Sequence, residues 1–495
     1  MLDFLCTAGT PAPPLHDLPG AHLLGPDSVP LRGTVQFVDG LIRCETRGDD
    51  PMALSLLWDV PQCGALQLET TRLPLRRESY SLHLELVRHR LMRINLKREE
   101  WGLFDYSGME DVAADVDAAR DLFVTALEAD TAAAADPLAA LALSRAIAAS
   151  ERLTRFHADI FLARRMQSNG FTGPLLGAAV PASLPEPGLA ARLPAAFDFV
   201  QVPFNWGNIQ PKEQETCYDT VDDWVNAART AKLRITGGPL LSFGVRSLPN
   251  WMYIWENDQD AVFEYAREHV QRTVKRYGKE IKSWIVCSGL HAADALALNF
   301  EHLIELTRMA ATVTRKAAPG AQVVVDIIQP WGEYFARNQR TIPPLLYAEM
   351  VAQSGIPVDA FGVQLVFGVG SDGYHLRDFM QISSLLDRFA NLGKPLRITG
   401  VSVPSAAQPG LAGAIAVGGS WHTPWSEQAQ ADWLTTFCEV ALSKPFVESV
   451  CIQHLADGLG DTFPAAGLFR EDLEPKRALA ALGALRQRLR SGAEA

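Results

Sequence analysis

The spacing of apolar positions changes character along the chain, and each change predicts a different kind of structure. Between residues 28 and 84 apolar and polar positions alternate. Leu66 and Leu68 interleave with Gln67 and Glu69, and Leu82 and Leu84 with Ser81 and His83. Turn signals such as Asp39-Gly40 and Gly48-Asp49-Asp50 punctuate this stretch, so it reads as short strands. A helical period follows. Val87, Leu91, Ile94 and Trp101 share one helix face and leave Arg88, Arg90, Arg93 and Lys97 outside it. A second helical region runs over 110–167. In it Asp136-Pro137 reads as an N-cap with proline at the first helical position. The alanine-rich piece near 126–142 reads as a helix–helix junction. Leu153, Phe156, Ile160 and Ala163 form a stripe that ends at Arg164-Arg165 and Gly170.

From residue 175 the pattern becomes strand, helix, strand, repeated. Continuous apolar runs occupy 175–180, 197–204, 233–243, 281–290, 322–328, 360–367, 395–403 and 448–455. Such runs suit strands buried on both faces of a parallel sheet. Helical segments including 256–277, 300–317 and 427–443 separate them. Eight strand–helix units with right-handed crossovers predict an α/β fold, a (β/α)₈ TIM barrel. The expected organisation is a β-rich, sandwich-like N-terminal domain (1–105), a helical connector (106–170) and the barrel (171–490). The N-terminal unit reads as carbohydrate-binding-like or as a docking domain that shields the barrel. The absence of an evident aromatic row favours docking.

Composition narrows the classes of function. The 495 residues are 48% hydrophobic and 21% charged, as in a folded globular protein, and carry a net charge of −12. An acidic chain without a basic run does not suit nucleic acid. The opening MLDFLCTAGTPAPPLHD lacks the basic start of a signal peptide. No run approaches the ~20 apolar residues of a membrane helix, so no membrane partner is expected. Seven cysteines without a CxxC pair imply a reducing, cytoplasmic setting. No cofactor and no metal is expected, because no His/Asp/Glu cluster has ligand spacing. Asp326 with Glu333, or Asp457 with Asp461, is the nearest approach to a calcium set. A homo-oligomer is compatible with all of this.

A barrel of this type places its chemistry at the C-terminal ends of the strands. Those ends carry Asn205 and Trp206, Trp251, His291, Asp326 with Trp331 and Glu333, and Gln364 with Asp372 and His375. Trp421 and Trp425 follow, then Gln453, His454 and Asp461. Five tryptophans among amides on one face suit sugar recognition, since rings stack on C–H-rich sugar faces and amides fix hydroxyls. The plainer alternative is that the rings cap the barrel core.

Over 175–487 the sequence resembles glycoside hydrolase family 10, the endo-1,4-β-xylanase family. The resemblance rests on GAAV (177–180), Trp206 with Pro211, and GGPLLSF followed by LPNW (ending at Trp251). It continues through GVQ (362–364), LGKPLRIT (392–399), Gln428-Ala429 and GLFREDLEPKRA (467–478). The resemblance implies an oligo- or polysaccharide ligand and two catalytic glutamates. At the acid/base position, in Trp284-Ile285-Val286-Cys287-Ser288-Gly289, Gly289 stands for the glutamate and Ser288 for its asparagine. At the nucleophile position Thr399 is followed by Gly400. The family's third-strand histidines fall on Gly238 and Phe243, and its tryptophan there on Ser242. Val366 takes the place of its sixth-strand histidine and His454 that of its eighth-strand tryptophan. Pro203 and Phe204 stand near the place of its second-strand Glu-Asn pair.

Retaining hydrolysis needs two carboxyls about 5–5.5 Å apart, and glycine supplies neither. Two glycines are also expected to leave open space where glutamates would point. The first reading is therefore a saccharide-binding pseudo-glycosidase. The second is an active glycoside hydrolase with relocated groups: Asp326 first, then His454, with Glu333, Asp372, Asp461, His291 and His375 behind. The third is a non-catalytic scaffold or oligomerising protein.

Overall fold

The computed structural model describes residues 2–6, 18–103, 106–244, 247–293, 295–406, 418–458, 463 and 465–491. The N-terminal strands are β1 (Leu2–Leu5), β2 (His22–Leu24), β3 (Pro30–Leu31), β4 (Gly33–Val38), β5 (Leu41–Thr46), β6 (Ala53–Val60), β7 (Gly64–Glu69) and β8 (Tyr80–Ser81). They form two four-stranded sheets, ordered β4-β5-β1-β8 and β3-β2-β6-β7. Burial on both faces explains why β6, ALSLLWDV, is apolar almost throughout.

Three helices follow: α1 (Leu82–Glu100), α2 (Glu110–Leu127) and α3 (Ala132–Gln167). The alternation expected at Leu82 and Leu84 is overruled, because the chain turns helical directly after β8. Asp136-Pro137 does not start a helix either. Thr131 is the N-cap, accepting from the Ala134 amide, and Pro137 lies inside α3. Asp136 is instead buried and bonded to His83 Nδ1 at 2.9 Å, so it ties α3 to α1. The junction between α2 and α3 is confined to 128–131.

The polar face expected for α1 is also revised. Arg90 and Lys97 are buried, because the barrel presents Asp378 and Asp387 to them. One stretch of α3 is, against expectation, long and apolar enough to cross a membrane. Its Ala139, Leu143, Ile147 and Leu153 are buried, and the helix packs on α1, α2 and the barrel helix Glu427–Ser443.

Eight parallel strands close the barrel: β9 (Leu176–Ala179), β10 (Phe199–Val202), β11 (Arg234–Gly237), β12 (Ser283–Ser288), β13 (Gln322–Ile327), β14 (Ala360–Val366), β15 (Leu396–Ser402) and β16 (Val447–Ile452). Each lies within the run expected for it, apart from the first residue of β16. β16 pairs with β9 to complete the ring. The β-rich unit docks beside the barrel mouth. The edge strand β7 uses free backbone groups on loops following β14 and β15, with Gln67 N donating to Leu376 O at 2.8 Å and Ser420 N to Ala65 O at 2.9 Å. An edge covered in this way is not open to pairing with other chains.

Candidate functional site

At the C-terminal ends of the strands lies an open cavity of about 420 Å³. Its walls come from the ends of β9 to β12, from Ile328 and Gln364, and from Gln453 to Ala456. The polar groups that face it are mostly amides and hydroxyls: Gln201, Asn205, Asn208, Gln364, Gln453, Ser242, Ser247 and Ser288. No Asp, Glu, Lys or Arg lines it among the described residues. A neutral, hydroxyl-rich ligand matches such a wall, because amides both donate to and accept from hydroxyls.

Beneath this wall sits Asp326, only 1% exposed. It receives Ser288 Oγ at 2.6 Å and Gln364 Nε2 at 2.8 Å on Oδ2, and Thr399 Oγ1 on Oδ1. Burial pushes its pKa up, and the three donors only partly oppose that. The carboxyl is thus saturated by its own barrel and does not line the cavity.

The two glycines do not leave the open space expected of them. Gly289 has φ +66°, and a Cβ there would come within 2.5 Å of Ile328 Cδ1. A Cβ at Gly400 would stand 2.1 Å from Gln453 Oε1. The side chains of Ile328 and Gln453 therefore occupy the places beside the two positions. Gln453 Oε1 is itself buried and has no hydrogen-bond partner among the described residues.

The structure gathers Asn205, Trp206, Gln364, Gln453 and His454 at this cavity. Trp206 donates to Gln210 Oε1 at 3.0 Å and stacks on His269, with ring centroids 4.9 Å apart. His454 contacts Ser402 Oγ through Nδ1 at 2.9 Å, and burial lowers its pKa to about 4. Trp251 is edge-on behind Trp206 and bonds to Gln210 O at 2.9 Å, outside the wall.

The other expected residues lie elsewhere. His291 is buried, with its ring against Tyr347, its Nε2 3.0 Å from Ile328 O, and a pKa lowered by burial to about 4. Trp331 lies under Arg377, whose guanidinium is 4.7 Å from the ring centre. Glu333 accepts from Arg377 Nη2 and from Gly373 N, both at 2.6 Å. Burial alone would raise the Glu333 pKa, but neighbouring His375 and Arg377 hold it far below the usual carboxylate range. Arg377 also reaches Glu69 on β7 at 3.1 Å, so this cluster serves the domain contact. Trp421 donates to Glu151 of α3 at 2.7 Å, and buried Trp425 donates to Gly419 O at 2.9 Å. Asp372 pairs with Arg337 at 2.7 Å. Asp461 lies outside the described residues.

Gln201 and Ser247 were not singled out from the sequence. Gln201 did carry a signal, as the lone polar residue within the apolar run of β10.

The glycosyl hydrolase family 10 model matches residues 201–484. Among solved structures, xylanase 10B from Thermotoga maritima is similar at 17% identity and TM-score 0.49, over 67% of this chain and 98% of that one. Xylanase 10B from Thermotoga petrophila RKU-1, in complex with xylobiose, is similar at 17% identity and TM-score 0.48, over 66% and 96%. The family 10 structure from Paenibacillus barcinonensis is similar at 20% identity and TM-score 0.47, over 62% and 94%. No curated protein matches the chain.

Proposed function

Since the chain belongs to glycosyl hydrolase family 10, we propose that it keeps the barrel mouth as a saccharide-binding site and has given up retaining hydrolysis. The observation that carries this reading is a cavity wall of amides and hydroxyls without a carboxylate among the described residues. Double displacement needs one carboxyl as nucleophile and a second as proton shuttle. Gly289 and Gly400 stand at those positions, and Ile328 and Gln453 crowd them. Gln364, Gln453, Asn205 and Asn208 supply donors and acceptors for sugar hydroxyls. The seven free thiols support a reducing, cytoplasmic setting for this activity.

One observation favours a second reading, an active hydrolase acting through Asp326: burial raises its pKa in the direction a general acid needs. Its engagement by three donors within the barrel and its lack of a partner carboxyl at the cavity weigh against it.

Calorimetric titration with xylo- and cello-oligosaccharides tests the proposal. The expected result is binding that weakens about tenfold in Gln364→Ala, the loss of one or two hydrogen bonds, with no turnover of an aryl β-xyloside. Failure of every oligosaccharide to bind would remove the reading. Turnover abolished by Asp326→Asn would replace it with the second one.

A further inference from the structure

The barrel encloses a second, larger hollow at the opposite end, open at the N-terminal ends of the strands and about 770 Å³ in volume. Barrel interiors are ordinarily filled there by layers of bulky branched side chains. This one carries small residues at inward positions instead. Ser283 and Ser449 line the hollow where branched side chains would otherwise stand. The missing volume is the hollow, and its size falls within the range of ligand cavities.

Its lining is divided. The interior is mainly apolar, with Phe199, Ile285, Val324 and Cys451 beside the polar Gln201, Thr236 and Thr399. The lining as a whole carries six cations against two carboxylates, on a chain whose net charge is −12. One carboxylate, Glu448, is already paired with Arg397 at 2.8 Å. Arg234 is in register with Phe199 on the neighbouring strand, so its side chain leaves the sheet on the inner side. Neither Arg234 nor Lys232 has a side-chain hydrogen bond or ion pair among the described residues. Free cations beside an apolar interior call for an anion with an apolar body. A polar sugar phosphate would set most of its hydroxyls against Phe199, Ile285, Val324 and Cys451, which offer no hydrogen bond.

We propose that this hollow binds an amphiphile with a single anionic head, a medium-chain carboxylate. The head meets Arg234 and the neighbouring lysines at the opening, and the chain runs inward along Phe199, Ile285 and Val324. The site lies at the end of the barrel opposite the saccharide cavity and does not depend on that reading. The two are neighbours through one layer of side chains. Gln201 lines both hollows, and Thr399, which lines this one, donates to Asp326.

Calorimetric titration of the full chain with decanoate tests the proposal, with 1-decanol as the uncharged control. Decanoate is expected to bind, and decanol to bind at least about tenfold more weakly, the worth of one charged hydrogen bond. Arg234→Glu is expected to weaken decanoate by a similar factor. Val324→Trp, which fills the interior, should abolish binding. Should Val324→Trp fail to fold, Ser449→Phe fills the same hollow nearer its opening. Saturation by decanoate with both effects supports the site. The proposal is overturned if decanoate does not bind, if decanol binds as tightly, or if either folded variant binds decanoate like the unaltered protein.

Discussion

Adding a methyl group at each of the two glycines separates backbone strain from crowding. At Gly289 the backbone is left-handed, with φ +66°, which costs an L-residue about 1–2 kcal/mol. The new Cβ also meets Ile328 Cδ1 at 2.5 Å, and turning that side chain off its rotamer adds about 0.5–1.5 kcal/mol. Gly289→Ala should therefore lose roughly 1.5–3.5 kcal/mol, the sum of these two. At Gly400 the backbone is ordinary extended strand and the obstacle is Gln453 Oε1. Because that oxygen has no partner among the described residues, Gln453 can swing aside, and Gly400→Ala should lose only about 0.5–1.5 kcal/mol. Urea unfolding followed by tryptophan fluorescence measures both. In Gly289→Glu/Gly400→Glu the new carboxyls have to displace Ile328 and Gln453, so hydrolysis of an aryl β-xyloside should not appear. A Gly289→Ala protein as stable as the original would refute the strain argument. So would a Gly400→Ala protein that is the weaker of the two, and a hydrolytic double variant would refute the crowding argument.

The remaining predictions concern buried charge. Asp326→Ala leaves the Ser288, Gln364 and Thr399 donors without their acceptor and should destabilise by about 3 kcal/mol or more, at roughly 1–3 per abandoned group. Because burial raises the Asp326 pKa, its contribution to stability is full below the unfolded value near ~3.9 and is lost as pH rises through the folded value. Asp326→Asn should flatten that part of the stability–pH curve, and an unchanged slope would contradict the assignment. Glu333 works in the opposite sense: its pKa is depressed beside Arg377, so its contribution is present above ~4.3 and fades as pH falls below it. Arg377→Ala should cost about 3–5 kcal/mol by stranding two carboxylates, Glu333 and Glu69. Limited proteolysis then tests whether the β-rich unit loosens from the barrel, and an unaltered cleavage pattern would count against this coupling.

Much of the architecture was readable along the chain, and the reason is that it depends on periodicity. A strand buried on both faces must be apolar at every position, and eight such runs spaced by helices leave few topologies. Membership of glycosyl hydrolase family 10 was readable too. What misled was any inference about the company a side chain keeps. Arg90 and Lys97 look like a solvated helix face until Asp378 and Asp387 arrive from nearly three hundred residues away. Trp331, Glu333 and Trp421 sit in loops on the C-terminal face of the barrel, as expected of sugar-binding residues, yet the structure spends them on holding the β-rich unit and α3.

The sequence by itself determined the strand–helix repeat and the barrel. Those follow from local period and residue identity, which need no knowledge of neighbours. Only the tertiary structure decided what fills the space beside Gly289 and Gly400, that Asp326 is enclosed by Ser288, Gln364 and Thr399, and that the barrel is hollow at its far end. Each is a matter of volume and pairing between distant strands. An inward glycine or serine on one strand opens a space or leaves it filled according to what the facing strands bring to the same level.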